Sequence, residues 1–201
     1  MLEKVCENLN KRGFIASVAV NKDEALNTAL EIIGQNEITA FGGSETIKTV
    51  KLAEKLLERG SEIYHRSHLK DSETAESIMK KSFGADFFAC SANALTIGGE
   101  IVNTDGTANR IAATLYGPKN VLMIVGKNKI VQNLDAAFER IKNVAAKLNC
   151  IRLNKNNPCV YGGSCEDCQN ESSICKATVI HHHPTRDKNF YVILVDEELG
   201  Y

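Results

Sequence analysis

Four of the chain's seven cysteines, Cys159, Cys165, Cys168 and Cys175, crowd into one short polar stretch. Four thiolates suit a tetrahedral zinc ion or a cuboidal iron–sulfur cluster, and a loop rich in Gly and Asn can fold around either. The outer spacings match neither the bacterial ferredoxin run nor a common zinc ribbon, so the metal stays open between iron–sulfur and zinc. Four unliganded thiols are the plain alternative.

A second feature is Gly42-Gly43-Ser44-Glu45-Thr46, set between a strand pattern and a helix pattern. Glycines there let a phosphate or carboxylate approach free backbone N–H groups at a helix start, and Ser44 or Thr46 adds a hydroxyl. The motif is neither a Walker loop nor a dinucleotide fingerprint, which weakens nucleoside-triphosphate and NAD readings. A glycine turn with Ser44 as N-cap is its alternative. The densest polar stretch is Gly98-Gly99-Glu100 followed by Asn103 to Arg110. Arg110 can pair with a carboxylate or phosphate through its planar fork, with Asn109 beside it. Glu100 or Asp105 would serve as base or nucleophile if burial raised its proton affinity. Read structurally, Asp105-Gly106 is a turn and Thr107 an N-cap. The triplet His181–His183 would present two imidazoles on one strand face, a supplementary metal ligand at most and more simply a solvated edge.

The elements that must position these groups are legible as an alternation. A short amphipathic helix opens the chain, with Leu2, Val5, Cys6 and Leu9 on one stripe. Residues 14–20 read as a strand and 22–33 as a helix capped by Asn21; 38–41 and 45–59 repeat the unit. Strands follow at 62–66, 86–90 and 120–125, a hairpin or bulge at 95–102 around Gly98-Gly99, and helices at 72–82, 108–115 and 134–148. Strands alternating with helices argue for an α/β fold, a mainly parallel sheet sandwiched by helices. Beyond residue 149 the texture turns polar and cysteine-rich, and two strand patterns at 176–182 and 190–195 resemble a terminal β-hairpin. The expected organisation is an α/β domain over residues 1–149, with residues 150–201 a cysteine-rich appendage ending in a β-hairpin and belonging to the same domain.

Composition narrows the function. Over 201 residues, Lys+Arg 24 against Asp+Glu 25 gives a net charge of −1, without the broad basic surface expected of nucleic-acid binding. Any anion site must be local. No run approaches a membrane span and the first residues form an amphipathic pattern rather than a signal peptide, so the cytoplasm is the expected address.

With these residues in hand, the chain resembles the lactate-utilization (LUD) domain family. The resemblance rests on Gly42-Gly43-Ser44-Glu45-Thr46, on the run from Ala92 through Asn103, on Asn109-Arg110-Ile111-Ala112, on Gly117-Pro118 and on the strand reaching Gly126-Lys127. The ending Asp196 to Tyr201 and the cysteine segment look like a stand-alone subgroup of that family. The resemblance implies a fold similar to ribose-phosphate isomerase and the CoA-transferases, and a role in oxidising L-lactate to pyruvate. It also implies a bound anionic metabolite, other lactate-oxidation subunits as partners, and a place in an oxidoreductase complex. A stand-alone isomerase or transferase acting on a phosphorylated sugar or acyl-CoA, with a structural zinc, is the alternative; an adaptor without turnover is a third.

Overall fold

The computed structural model describes residues 1–162, 165–169 and 171–201. Among them the strands are β1 (Ile15–Ala19), β2 (Thr39–Phe41), β3 (Ile63–Tyr64), β4 (Phe87–Cys90), β5 (Ala94–Thr96), β6 (Ile101–Asp105), β7 (Asn120–Gly126), β8 (Ile130–Val131), β9 (Ala177–His181) and β10 (Asn189–Val195). The α-helices are α1 (Leu2–Lys11), α2 (Lys22–Ile32), α3 (Glu45–Val50), α4 (Leu52–Glu58), α5 (Ala75–Lys81), α6 (Asn109–Tyr116), α7 (Leu134–Arg140), α8 (Ala146–Arg152) and α9 (Pro158–Tyr161). A π-helical turn, Ile141–Ala145, joins α7 to α8.

Six strands form a wholly parallel sheet in the order β1-β10-β7-β4-β2-β3. In β7, Val121, Met123 and Val125 face one side and Leu122 and Ile124 the other, and all five are fully buried. A strand covered on both faces has no polar alternation, which is why this segment reads as an unbroken apolar run. One face packs against α2, α3 and α4 through Ala25, Ala29, Ile47, Leu52 and Leu56. The other packs against Leu2, Val5 and Leu9 of α1, Ala113 of α6, and Leu95 and Ile101 of a second sheet. That sheet has the order β8-β5-β6-β9, antiparallel across β5–β6 and β6–β9 and parallel across β5–β8. Its far side packs on Ala137 and Ile141 through Ala94 and Val102.

The local signals behave as their chemistry dictates. Asn21, Ser44 and Asn133 each accept N–H groups from the first turn of the helix they precede, and Thr74 and Ser77 close a capping box on α5. The helix expected over residues 45–59 breaks at Lys51, which adopts φ +60° between α3 and α4.

The expected terminal hairpin does not form. β9 pairs with β6 in the second sheet, whereas β10 inserts between the edge strand β1 and β7 in the interior of the parallel sheet. Phe190, Val192 and Leu194 are buried on one face of β10 and Ile193 and Val195 on the other, so only an interior slot satisfies it. The segment after residue 149 is therefore no appendage, because its last strand completes the core. Among the described residues no helix is long and apolar enough to cross a membrane.

Candidate functional site

β2, β4 and β7 are neighbours whose carboxyl ends open at one edge of the parallel sheet, where the chain passes into residues 42–44, 91–93 and 127–129. Ligands of open α/β sheets bind at such edges. A cavity of about 480 Å³ lies here, and Gly43, Ser44, Asp105, Asn109 and Arg110 all line it. The glycine turn and the arginine-bearing loop thus meet at one rim.

Each predicted group has a definite local role. Ser44 Oγ accepts from Ile47 N–H at 3.2 Å, which leaves its hydroxyl proton free to donate. Asp105, at the end of β6, accepts from Arg110 Nε at 3.0 Å and from Ile111 N–H at 3.0 Å, fixing the first turn of α6. Arg110 also donates to Ser91 O at 3.1 Å, Asn93 Oδ1 at 2.9 Å and Thr104 O at 3.1 Å. With so many internal acceptors, Arg110 lines the cavity as a fixed positive charge. Asn109 Oδ1 accepts from Thr107 Oγ1 at 2.7 Å.

Gly42, Thr46 and Glu100 do not line this cavity. Gly42 donates to Ala89 O and lies so close to Phe88 that an added Cβ would meet its ring at 3.3 Å. Thr46 is fully buried and donates to Leu199 O at 2.9 Å. Glu100 sits in the β5–β6 turn, clasped by Arg12 and by Thr96. Burial alone would raise its pKa, but the Thr96 hydroxyl, its own backbone N–H and the Arg12 charge hold it below the usual carboxylate range. That environment makes Glu100 an anchor between α1 and the second sheet.

Sequence reading missed the most unusual group in the site. Lys129 is 2% exposed, and its Nζ lies 2.8 Å from Thr46 Oγ1, 3.0 Å from Ser91 Oγ and 3.2 Å from Ala92 O. Burial first, then the Arg140 and Arg110 charges, push its pKa down to about 7. Arg66, Arg152, Lys155 and Lys176 add charge around the cavity, against Glu45, Asp105 and Glu171. Asp105 is paired with Arg110 and Glu45 lies 3.6 Å from Arg152, so the surplus is positive. Tyr201 also lines the cavity; its hydroxyl accepts from Arg152 Nε at 2.7 Å and donates to Asn149 Oδ1 at 3.0 Å. Gly200, at φ +60°, lets residues 199–201 press onto the glycine turn, since a Cβ there would sit 2.9 Å from Thr46 N. Position after β4 and β7 was the available signal for Ser91, Asn93 and Lys129. Nothing local distinguishes Lys129 from the exposed Lys127.

The thiols gather elsewhere along the same wall. Cys159, Cys165, Cys168 and Cys175 line a second cavity of about 50 Å³, and Cys150, carried by α8, joins them. The two cavities share Ala146, Ser173 and Cys175. Burial, then the Cys159 thiol, pushes Cys150 up to about 12; burial, then Cys165 and Cys168, pushes Cys175 up to about 11. Among the described residues, no group of three or more His, Cys, Asp or Glu side chains is gathered tightly enough to hold a single metal ion.

Fold and site together define an α/β protein with a cation-lined cavity at the carboxyl edge of its parallel sheet. The chain belongs to the LUD domain family, whose model matches residues 2–195. That match runs through β10, in keeping with one continuous domain. Among solved structures, the chain is similar to a DUF162 family protein from Deinococcus radiodurans, with a TM-score of 0.57 and 14% identity, covering 96% of this chain and 95% of that one. It is also similar to ribose 5-phosphate isomerase A from Neisseria gonorrhoeae, with a TM-score of 0.44 and 15% identity, covering 90% and 94% of the two chains. At such identities the first likeness shows a shared fold and no more. No curated protein matches the chain.

Proposed function

We propose that this LUD-domain protein serves L-lactate utilization by binding a small anionic metabolite, a hydroxy acid or its oxo-acid product, in the large cavity. The observation that carries the reading is the meeting of Gly43, Ser44, Arg66, Arg110, Lys129 and Arg152 around one concave space in a chain of net charge −1. Arg110 is held by internal hydrogen bonds, so it supplies positive charge without reorganising, and Lys129, its pKa pushed down to about 7, gains its charge as the anion binds. Arg66 and Arg152 stand nearer solvent, suited to close on a carboxylate through paired N–H groups. Ser44 contributes its free hydroxyl proton. Other subunits of a lactate-oxidising complex are the partners this reading calls for, and the protein acts as a component of that redox assembly.

Thermal-shift and calorimetric titration with L-lactate and pyruvate test it. Stabilisation by either acid is expected, with Arg66→Ala weakening binding by about 1.5–3 kcal/mol, the range for a hydrogen bond to a charged group. Absence of binding by both acids would reject the proposal.

The size of the cavity favours a second reading. A volume of about 480 Å³ lies in the range of pockets for much larger ligands than a three-carbon acid. A phosphorylated sugar or an acyl-CoA would use more of it, on a stand-alone isomerase or transferase with a structural zinc. Sugar phosphates and CoA esters in the same titration separate the two, because each reading predicts a different compound as the tight binder.

A further inference from the structure

Spacing along the chain could not show that the four clustered cysteines face a fifth. Cys150 comes from α8, which is continuous with the helix packed under the second sheet, while Cys159 comes from α9 and the remaining thiols from the loop beyond it. Cys150 and Cys159 are buried and Cys175 is the most exposed, so the thiols run from the helical floor to the surface. Polar groups support the sulfurs from outside. Asn157, 1% exposed, directs Nδ2 at Cys168 Sγ from 3.9 Å while its Oδ1 accepts from Ser172 Oγ at 2.7 Å. Asp167 N–H donates to Cys165 Sγ at 3.4 Å. Such N–H groups are the outer hydrogen-bond partners that ligating sulfurs take.

Between α8 and β9 the described residues contain only the four-residue α9 as regular structure, and buried apolar side chains are scarce there. A segment of this length needs something other than a core to order it. Four of the five sulfurs match the ligand number of a tetrahedral zinc and of a cuboidal cluster alike, so their arrangement, not their number, separates the two. They ring a space rather than converge on a point, since no three are gathered tightly enough for one ion among the described residues.

We propose that Cys150, Cys159, Cys165, Cys168 and Cys175 form the binding site of an iron–sulfur cluster, with four as ligands and Cys150 anchoring the set to the helical core. The site adjoins the anion cavity through Cys175 and Ser173 and stands independently of what that cavity binds.

The test is purification of the full chain under strict oxygen exclusion, followed by reconstitution with ferrous iron and sulfide. Visible absorption, iron and acid-labile sulfide are then measured on the desalted protein. Equimolar iron and sulfide with a reducible chromophore are expected. Cys165→Ser/Cys168→Ser should lose the chromophore, Cys150→Ser should retain at most a tenth of the iron, and Cys6→Ser should be unchanged. Far-UV circular dichroism identifies any variant that fails to fold, and the unsubstituted chain alone is decisive. Zinc in place of iron, disulfides among these cysteines in the anaerobic protein, or a folded protein that stays colourless and free of iron and sulfide would each overturn the proposal. Anion titration of the same samples reports on the large cavity separately.

Discussion

Lys129 shows how burial changes what a residue can do. An ammonium ion fully removed from water and facing two guanidinium groups releases its proton near neutrality, and a bound anion reverses that balance by favouring the charged form. Anion binding at pH 8 should therefore take up protons, measurable as a dependence of calorimetric heat on buffer ionisation enthalpy. Lys129→Met should abolish the dependence; unchanged uptake in that variant would assign the proton elsewhere.

His181 provides a second residue-level consequence. Its Nε2 lies 3.2 Å from Thr114 Oγ1, whose own proton goes to Ile111 O, so the imidazole is the donor. Burial, with Lys188 adding to it, lowers its pKa from 6.5 to about 4. The unfolded chain binds the proton near pH 6.5 while the native chain resists it, so acidification from 6.5 towards 4 favours unfolding. The loss approaches about 3 kcal/mol at the low end, from 1.36 kcal/mol per pH unit. Denaturant titrations across that range should show the decline, and His181→Gln should flatten it. This role replaces any solvated or metal-bound one for that histidine.

At the scale of elements, junctions decide more than propensities. Lys51 holds φ +60° where α3 passes into α4, a conformation costing a side-chain-bearing residue roughly 1 kcal/mol. Lys51→Gly should raise the melting temperature by a few degrees. Gly200 is the opposite case, because its positive φ and the close approach of Thr46 leave no room for a side chain. Gly200→Ala should dislodge Tyr201 from Arg152 and weaken anion binding together with stability. Retained affinity in a less stable protein would separate the carboxyl-terminal segment from the site.

For the whole molecule, the decisive element is β10. It joins β1 to the rest of the parallel sheet and buries Phe190, Val192, Ile193, Leu194 and Val195. A chain ending at residue 149 would lack this interior strand and the β9 edge, so it should fail to give cooperative thermal unfolding. A cooperative transition in that fragment, followed by circular dichroism, would restore the reading of residues 150–201 as an appendage.

Much of this was written in the sequence. The helical stripe of Leu2, Val5 and Leu9, the caps at Asn21 and Ser44, and the apolar run of β7 follow from local patterning, and the glycine turn and Arg110 loop were recognisable as polar loops after strands. What the chain alone did not contain was which strands are neighbours. A strand pattern records that both faces are covered but not by what, so β9 and β10 looked like a hairpin although they belong to different sheets. The same reason hid the site's deeper members: Lys129, Arg66, Arg152 and Cys150 are ordinary side chains in their own segments. The altered proton affinities of Lys129 and Cys150, and the cavities that these four side chains line, arise from charges and packing brought from distant positions. Local sterics and periodicity are encoded within a few residues, whereas desolvation and Coulomb coupling depend on distances that only the folded chain sets.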